Sequence, residues 1–175
     1  MSREIMNRPE IDLALKKIAR QILEQKSSAD RLALVGIHTC GVYLAERIQR
    51  MIKEQTGAEI DFGSLDITLY RDDWSLISRN PVVKTTDIPF AVGGSRIILV
   101  DDVIFTGRTI RAALDALMDY GRPLAVQLAV LIDRNGREIP IQPDYTGQRV
   151  KVQPHEHIQV RLAEQGSQDL VIIEG

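Results

Sequence analysis

Residues 97–109 read Ile-Ile-Leu-Val-Asp-Asp-Val-Ile-Phe-Thr-Gly-Arg-Thr, and this run limits what the chain can fold into more tightly than any other. Four consecutive apolar residues are too few for a helix of their own and suit a parallel strand buried on both faces. A turn signal, Gly93-Gly94-Ser95, sits just ahead of them. Asp101 and Asp102 then fall at the strand's carboxyl end, the side on which open parallel sheets bind ligands. Thr106, Gly107, Arg108 and Thr109 open the following helix, where free backbone amides and the positive end of the dipole favour a phosphate. One loop thus offers acceptors for hydroxyls and donors for an anion, and a phosphorylated sugar needs both. The competing reading, in which the Asp side chains merely cap the helix, accounts for a lone Asp better than for the whole arrangement.

Elsewhere strands alternate with helices. Ile11, Leu15, Ile18 and Ile22 recur at helical spacing over 9–25, with Pro9 suited to a first turn. Leu32 to Ile37 reads as a strand, His38-Thr39-Cys40-Gly41 as a loop, and Val42, Ala45, Ile48 and Ile52 as a helix. Leu65 to Tyr70 alternates apolar and polar residues and predicts a strand with one apolar face. From Arg71 to Arg96 periodicity is lost and Pro81 and Pro89 interrupt the chain, which favours a lid or an extended hairpin over a passive loop. Ile110, Leu114 and Leu117 continue a helix ended by Gly121 and Pro123, and Ala125 to Ile132 predicts another buried strand. Short strands are predicted at Arg149 to Val152, Ile158 to Leu162 and Leu170 to Ile173. The order implies an α/β fold with parallel pairing and right-handed crossovers.

With 175 residues, 44% hydrophobic and 26% charged, the chain suits one soluble globular domain. No apolar stretch has membrane-spanning length, and Met1 to Arg20 lacks the apolar region of a secretory signal, so a cytoplasmic location without a membrane partner is expected. The single cysteine, Cys40, cannot form an internal disulfide, in keeping with a reducing compartment. A net charge of −2 argues against coating nucleic acid by bulk charge, so any RNA site must be a local patch.

The segment at 97–109 resembles the 5-phosphoribosyl-1-diphosphate (PRPP) signature of type I phosphoribosyltransferases. Further segments narrow the likeness: Leu-Val-Gly-Ile-His-Thr-Cys-Gly at 34–41, Leu-Asp-Ile-Thr-Leu-Tyr-Arg-Asp-Asp at 65–73, Tyr-Gly-Arg-Pro at 120–123, Leu-Ile-Asp-Arg at 131–134 and Arg-Glu-Ile-Pro-Ile at 137–141. Together they resemble the PyrR family, regulators of pyrimidine operon transcription attenuation that also act as uracil phosphoribosyltransferases. The resemblance implies a type I phosphoribosyltransferase fold in one domain over 1–175: a central, mostly parallel sheet flanked by helices, a small hood from the C-terminal segment and a flexible lid loop over about 71–96.

It also implies a reaction, uracil plus PRPP giving UMP plus pyrophosphate, with Mg2+ bound mainly through the diphosphate and no protein-only metal site. Asp101 and Asp102 would hold the ribose hydroxyls, and Val103, Ile104, Phe105, Thr106, Gly107, Arg108 and Thr109 would wrap the 5'-phosphate. Thr39, Cys40 and Gly41 would form the diphosphate loop. Arg71, with Asp72 and Asp73, would close over the diphosphate, and Arg134 and the backbone near Ile158 would line the uracil pocket. The transition state gains positive charge at the ribose and negative charge on the leaving diphosphate, so catalysis is mostly placement and electrostatics.

Two departures bear on activity. Many relatives carry Arg between the Thr and Gly of the diphosphate loop, whereas Cys40 brings no charged fork to an anion. That loss favours a second reading, a regulator that senses UMP or UTP and turns over poorly. Phe105 stands where purine-type members usually carry an Asp, which argues against a transferase for hypoxanthine and leaves one for another base as a third reading.

Weaker signals follow. Lys16, Lys17 and Arg20, with Arg137, Arg149 and Lys151, form a candidate basic patch for the leader of a pyrimidine operon mRNA. Solvated charges explain them nearly as well, and Gln142 and Gln148 replace basic residues of RNA-binding relatives. His155 and His157 suit a solvated face better than a metal site. His38 suits packing behind the diphosphate loop. The resemblance further implies a homo-oligomer, a dimer or a multiple of dimers.

Overall fold

The structure is a computed structural model that describes residues 2–73 and 83–175. Five strands form a sheet in the order β3 (Asp61–Leu65), β2 (Leu32–Ile37), β4 (Arg96–Ile104), β5 (Ala125–Arg134) and β6 (Tyr145–Val150). Every neighbouring pair is parallel. β2 is buried along its whole length, which is why it carries six apolar or small residues rather than an alternating pattern.

Alternate residues serve opposite faces. Leu34, Ile98, Val100 and Leu131 pack beneath α1 (Arg8–Gln25) and α2 (Cys40–Thr56). Ala33, Val35, Ile97, Leu99 and Val130 pack with Ile110, Ala113 and Leu117 of α3 (Arg108–Met118) on the other face. Asn7 closes α1 with a capping box, accepting from Glu10 N at 3.2 Å while its own amide donates to the Glu10 carboxylate at 2.8 Å.

A second, antiparallel sheet has the order β1 (Ser2–Asn7), β8 (Leu170–Glu174) and β7 (His157–Arg161). Its buried side, through Met6, Val160 and Val171, joins the core under α1. β1 has no counterpart in the sequence reading, since its Ser2-Arg3-Glu4 half is exposed and only Met6 is buried. The hood thus combines both ends of the chain instead of the C-terminal segment alone.

Two predicted strands are corrected. Leu65–Tyr70 is not a strand: β3 ends at Leu65, and Thr68–Tyr70 is a 3-10 turn. The Asp66 carboxylate bends the chain there, accepting from Thr68 N at 2.9 Å and Lys84 N at 2.6 Å, and Leu69 is left 62% exposed. The strand predicted at Arg149–Val152 lies earlier, over Tyr145–Val150, because pairing with β5 runs from Ala129/Tyr145 to Arg134/Val150 and Val152 N turns to Asn135 Oδ1. Of the span 71–96 predicted as a lid, residues 74–82 lie outside the described residues. Its later part is docked, with Asp87 bridged to Ser64, Ile88 and Phe90 against the core and Val92 buried.

Strand order sets the site's position. From β2 the chain proceeds to the β3 edge, and from β4 it proceeds through β5 to β6 at the other edge. The reversal lies between β2 and β4, so the loops after these two strands diverge and leave a crevice at their carboxyl ends.

Candidate active site

The carboxyl-terminal part of β4 carries the acidic doublet to that crevice. Asp101 is buried, and its Oδ1 accepts from Asp102 N at 2.9 Å; Asp102 Oδ1 accepts from Val103 N at 2.8 Å. Desolvation, reinforced by the adjacent Asp102 charge, raises the Asp101 carboxyl well above the ordinary carboxylate range. The two side chains therefore differ: one buried acid that resists ionisation and one half-buried partner.

Beyond the doublet, the chain turns through Phe105–Gly107 into α3. The carbonyls of this turn are engaged on its outer side. Arg137 Nη1 donates to Phe105 O at 2.7 Å, and the amides of Glu138 and Ile139 donate to Thr106 O at 2.9 and 3.3 Å. Arg108 N donates to Thr106 Oγ1 at 3.2 Å, and the other first amides of α3 mark a helix start that favours an anion. They border a pocket of about 370 Å³ lined by Val103 to Ile110, by Arg71, Asp72 and Asp73, and by Glu138. Arg108 Nη1 pairs with Asp72 at 2.8 Å and its Nε with Glu138 at 2.8 Å, while Arg71 is paired with Asp73 at 2.8 Å. Arg71 holds the Asp73 carboxyl below its usual range. The pocket mouth thus contains cations that are already paired.

The loop after β2 forms the opposite wall. Thr39 precedes α2, and the His38–Thr39 peptide is cis. Gly41 allows the helix start to press on β4, since a Cβ there would stand 2.3 Å from Val100 O, next to the doublet. Cys40 Sγ lies 3.9 Å from Val160 O and 3.5 Å from Gln165 Oε1. Burial, then the charges of Asp102 and Asp101, push the Cys40 thiol up to about 12, so it is a protonated donor and not a nucleophile at neutral pH. His38 is half-buried at the root of the loop, and its Nε2 is 3.1 Å from Thr85 O.

A third wall comes from the end of β5. Arg134 is 5% exposed, its guanidinium lies 3.8 Å from the Phe105 ring centroid, and its Nη1 donates to Glu156 O at 3.0 Å, two residues before half-buried Ile158. Its Nε has no partner among the described residues, and burial pulls the guanidinium below its ordinary value. A buried cation with spare donors suits a ligand that brings carbonyl oxygens.

One pocket thus gathers Arg71 with Val103 to Thr109; Gly41 and Cys40 approach Asp101 and Asp102 beside it, Arg134 joins it through Phe105, and Thr39 and Ile158 are not among its lining. Glu138 and Gln165 were missed, because the pairing of either with this crevice is made only by the fold. Of the basic residues, Lys16, Lys17, Arg20, Arg149 and Lys151 do not line that pocket. Lys16, Lys17 and Arg20 line a groove with Gly147 and Gln148, and Lys17 Nζ donates to Gly147 O at 3.0 Å. Lys17 and Arg149 border one shallow depression, and Arg149 and Lys151 another, so these form a continuous surface. Arg137 is turned inward, its guanidinium engaged by Phe105 O, Asp133 and Gln142. His155 and His157 are exposed, and among the described residues no three His, Cys, Asp or Glu side chains are grouped to hold a metal ion. No helix of the described residues is long and apolar enough to cross a membrane.

Comparisons with known proteins agree with this fold. The phosphoribosyl transferase domain family matches residues 1–165. The "Bifunctional protein PyrR" of Deinococcus radiodurans is 49% identical over 167 residues, covering 95% of this chain and 91% of that protein. Its namesake from Thermus aquaticus is 51% identical over 168 residues, covering 96% and 93%. Among solved structures, the hypoxanthine phosphoribosyltransferase of Trypanosoma cruzi superposes with a TM-score of 0.71 at 15% identity, covering 98% of this chain and 95% of that one, a likeness of fold alone.

Proposed function

The chain belongs to the PyrR family of phosphoribosyltransferases, and from that premise we propose that the crevice between β2 and β4 transfers the phosphoribosyl group of PRPP to uracil. The observation that carries this reading is the doublet of buried Asp101 and half-buried Asp102, set one short turn before a helix start suited to an anion. In the reaction the bond from ribose C1 to the diphosphate breaks, a bond from C1 to uracil N1 forms, and the N1 proton leaves to the diphosphate or solvent.

Each residue has a physical task. The amides of Thr106 to Thr109 and the Thr106 and Thr109 hydroxyls hold the 5'-phosphate. The doublet accepts from the 2'- and 3'-hydroxyls and sets oxygen lone pairs beside the ribose as positive charge grows there. Thr39, Cys40 and Gly41 face the diphosphate, and Arg71 covers it from the pocket rim. Arg134, fixed on Phe105 and by Glu156 O, donates to a uracil carbonyl, and the backbone near Ile158 closes that side. Asp101 and Asp102 are hard oxygen donors and too few for a protein-only cage, so they fit a magnesium ion that the diphosphate brings with it. When bound, that ion neutralises the leaving group.

A regulatory activity accompanies transfer. Lys16, Lys17, Arg20, Arg149 and Lys151 form one continuous basic surface, suited to the phosphates of a structured leader RNA of a pyrimidine operon. Binding of UMP or UTP in the crevice would set its affinity. Cys40, whose thiol brings no charge to the diphosphate, favours regulation over rapid turnover.

Pyrophosphate release from PRPP, measured with uracil, hypoxanthine and orotate in turn, tests the assignment. Release with uracil is expected, and release with only a purine would contradict it. Salt-sensitive binding of a leader RNA, strengthened by UMP, is the expected regulatory result; no binding with or without UMP would remove that activity.

A further inference from the structure

The turn between β7 and β8 reaches the diphosphate loop through one side chain, Gln165, whose Oε1 lies 3.5 Å from Cys40 Sγ. Its position is fixed by the same helix that Cys40 begins. Arg47, two helical turns along α2, donates to Glu164 at 2.8 and 2.6 Å and to Asp169 at 2.8 and 2.9 Å, and Asp169 Oδ1 also accepts from Ala163 N at 2.7 Å. The Arg47 guanidinium and the Asp169 carboxylate are nearly buried. The turn and the diphosphate loop are thus both anchored to α2, one at its start and one seven residues on.

Cys40 lies between two polar neighbours, the acidic doublet on one side and Gln165 on the other. A thiol that donates to Oε1 sets the carboxamide's orientation, because the oxygen must face the sulfur and the NH2 group must point away. Gln165 is exposed, so its NH2 group is open to solvent beside Cys40. The sequence lacks a charged fork at position 40, and this carboxamide is a donor group in contact with the residue that stands there.

We propose that Gln165 is a diphosphate-binding residue, its NH2 donating to an oxygen of the PRPP diphosphate while its Oε1 is held by the Cys40 thiol. The assignment rests on the phosphoribosyl reading of the crevice. A neutral donor facing an anionic oxygen supplies about a tenfold gain in affinity, less than a bidentate guanidinium gives, but it requires no compensating carboxylate.

Calorimetric titration of the full chain with magnesium pyrophosphate and, separately, with UMP tests the proposal. Gln165→Ala should weaken pyrophosphate binding about tenfold, and Gln165→Glu, of the same size but with no donor and with a negative charge, should weaken it further. UMP, which lacks the diphosphate, should bind all three proteins within about twofold, a split that a merely structural role would not give. Should Gln165→Ala fold poorly, the near-isosteric Gln165→Glu carries the test. Pyrophosphate affinity unchanged in the folded variants would overturn the proposal while leaving the crevice's function standing. Failure of the unsubstituted protein to bind either ligand would overturn the phosphoribosyl reading, and this inference with it.

Discussion

The Arg134 guanidinium stacks on the face of the Phe105 ring, 3.8 Å from its centroid, and so joins the end of β5 to the loop after β4. Gly136 makes the stack feasible. It has φ +113°, and a Cβ at that position would stand 2.3 Å from Phe105 Cε2. Gly136→Ala should therefore displace the ring, lower stability by about 1–3 kcal/mol and raise KM for uracil. Arg134→Met, which keeps an unbranched stem without donors, should raise KM for uracil about tenfold with pyrophosphate affinity unchanged. Steady-state kinetics and calorimetry check both, and unchanged KM values would detach the stack from base binding.

Arg108 links the phosphate loop to the residues at the pocket rim through Asp72 and Glu138. These pairs are solvent-exposed and contribute little to stability, so their value lies in placing Asp72 and Arg71 over the pocket. Arg108→Gln should leave the unfolding midpoint nearly unchanged, raise KM for PRPP about tenfold and alter kcat much less. A loss confined to kcat would show that Arg108 acts on the chemical step instead.

Asp101 should give the unliganded chain an uncommon pH dependence. Its folded-state pKa is raised, so the folded protein retains a proton that the unfolded chain releases. Stability contributed by this group is therefore largest near and below the ordinary value of 3.8 and declines as pH rises toward the folded value. Asp101→Asn cannot ionise and still offers an oxygen to Asp102 N. Its melting temperature relative to the unsubstituted protein should climb as pH rises above about 4, while transferase activity is lost. A constant difference across that range would contradict the burial argument.

The Arg47 cluster predicts the opposite slope. Arg47 holds the Glu164 and Asp169 carboxyls below their ordinary values of 4.5 and 3.8, so their contribution is complete above those values and is lost as pH falls through the folded ones. Arg47→Met should cost about 3–5 kcal/mol at neutral pH, since two carboxylates lose their cation, and the gap should narrow in acid. Urea unfolding at about pH 7 and pH 3 checks this, a gap that does not narrow being the contrary result.

What the sequence disclosed was local. Ile97 to Thr109 contains a buried strand, an acidic doublet and a helix start within thirteen residues, so period, burial and ligand chemistry could be read together. α1 and α2 followed from their apolar spacing. The alternation at Leu65–Tyr70 misled because Asp66 uses its side chain to bend the backbone, and hydrogen bonding to Thr68 and Lys84 outweighed the pattern. β1 was illegible for the converse reason: it is a sheet edge, mostly exposed, defined by pairing with β8 at the far end of the chain. Arg134 over Phe105, Arg108 with Glu138 and Gln165 against Cys40 are all long-range pairs for which no local pattern exists.

A crystal structure of the UMP complex is the most direct test of the phosphoribosyl reading of the site. The nucleotide's phosphate should receive hydrogen bonds from the Thr106–Thr109 amides, its ribose hydroxyls should lie on Asp101 and Asp102, and its uracil should face Arg134 and Phe105. A phosphate seated elsewhere, or a β4–α3 bend that admits no ribose phosphate, would contradict it.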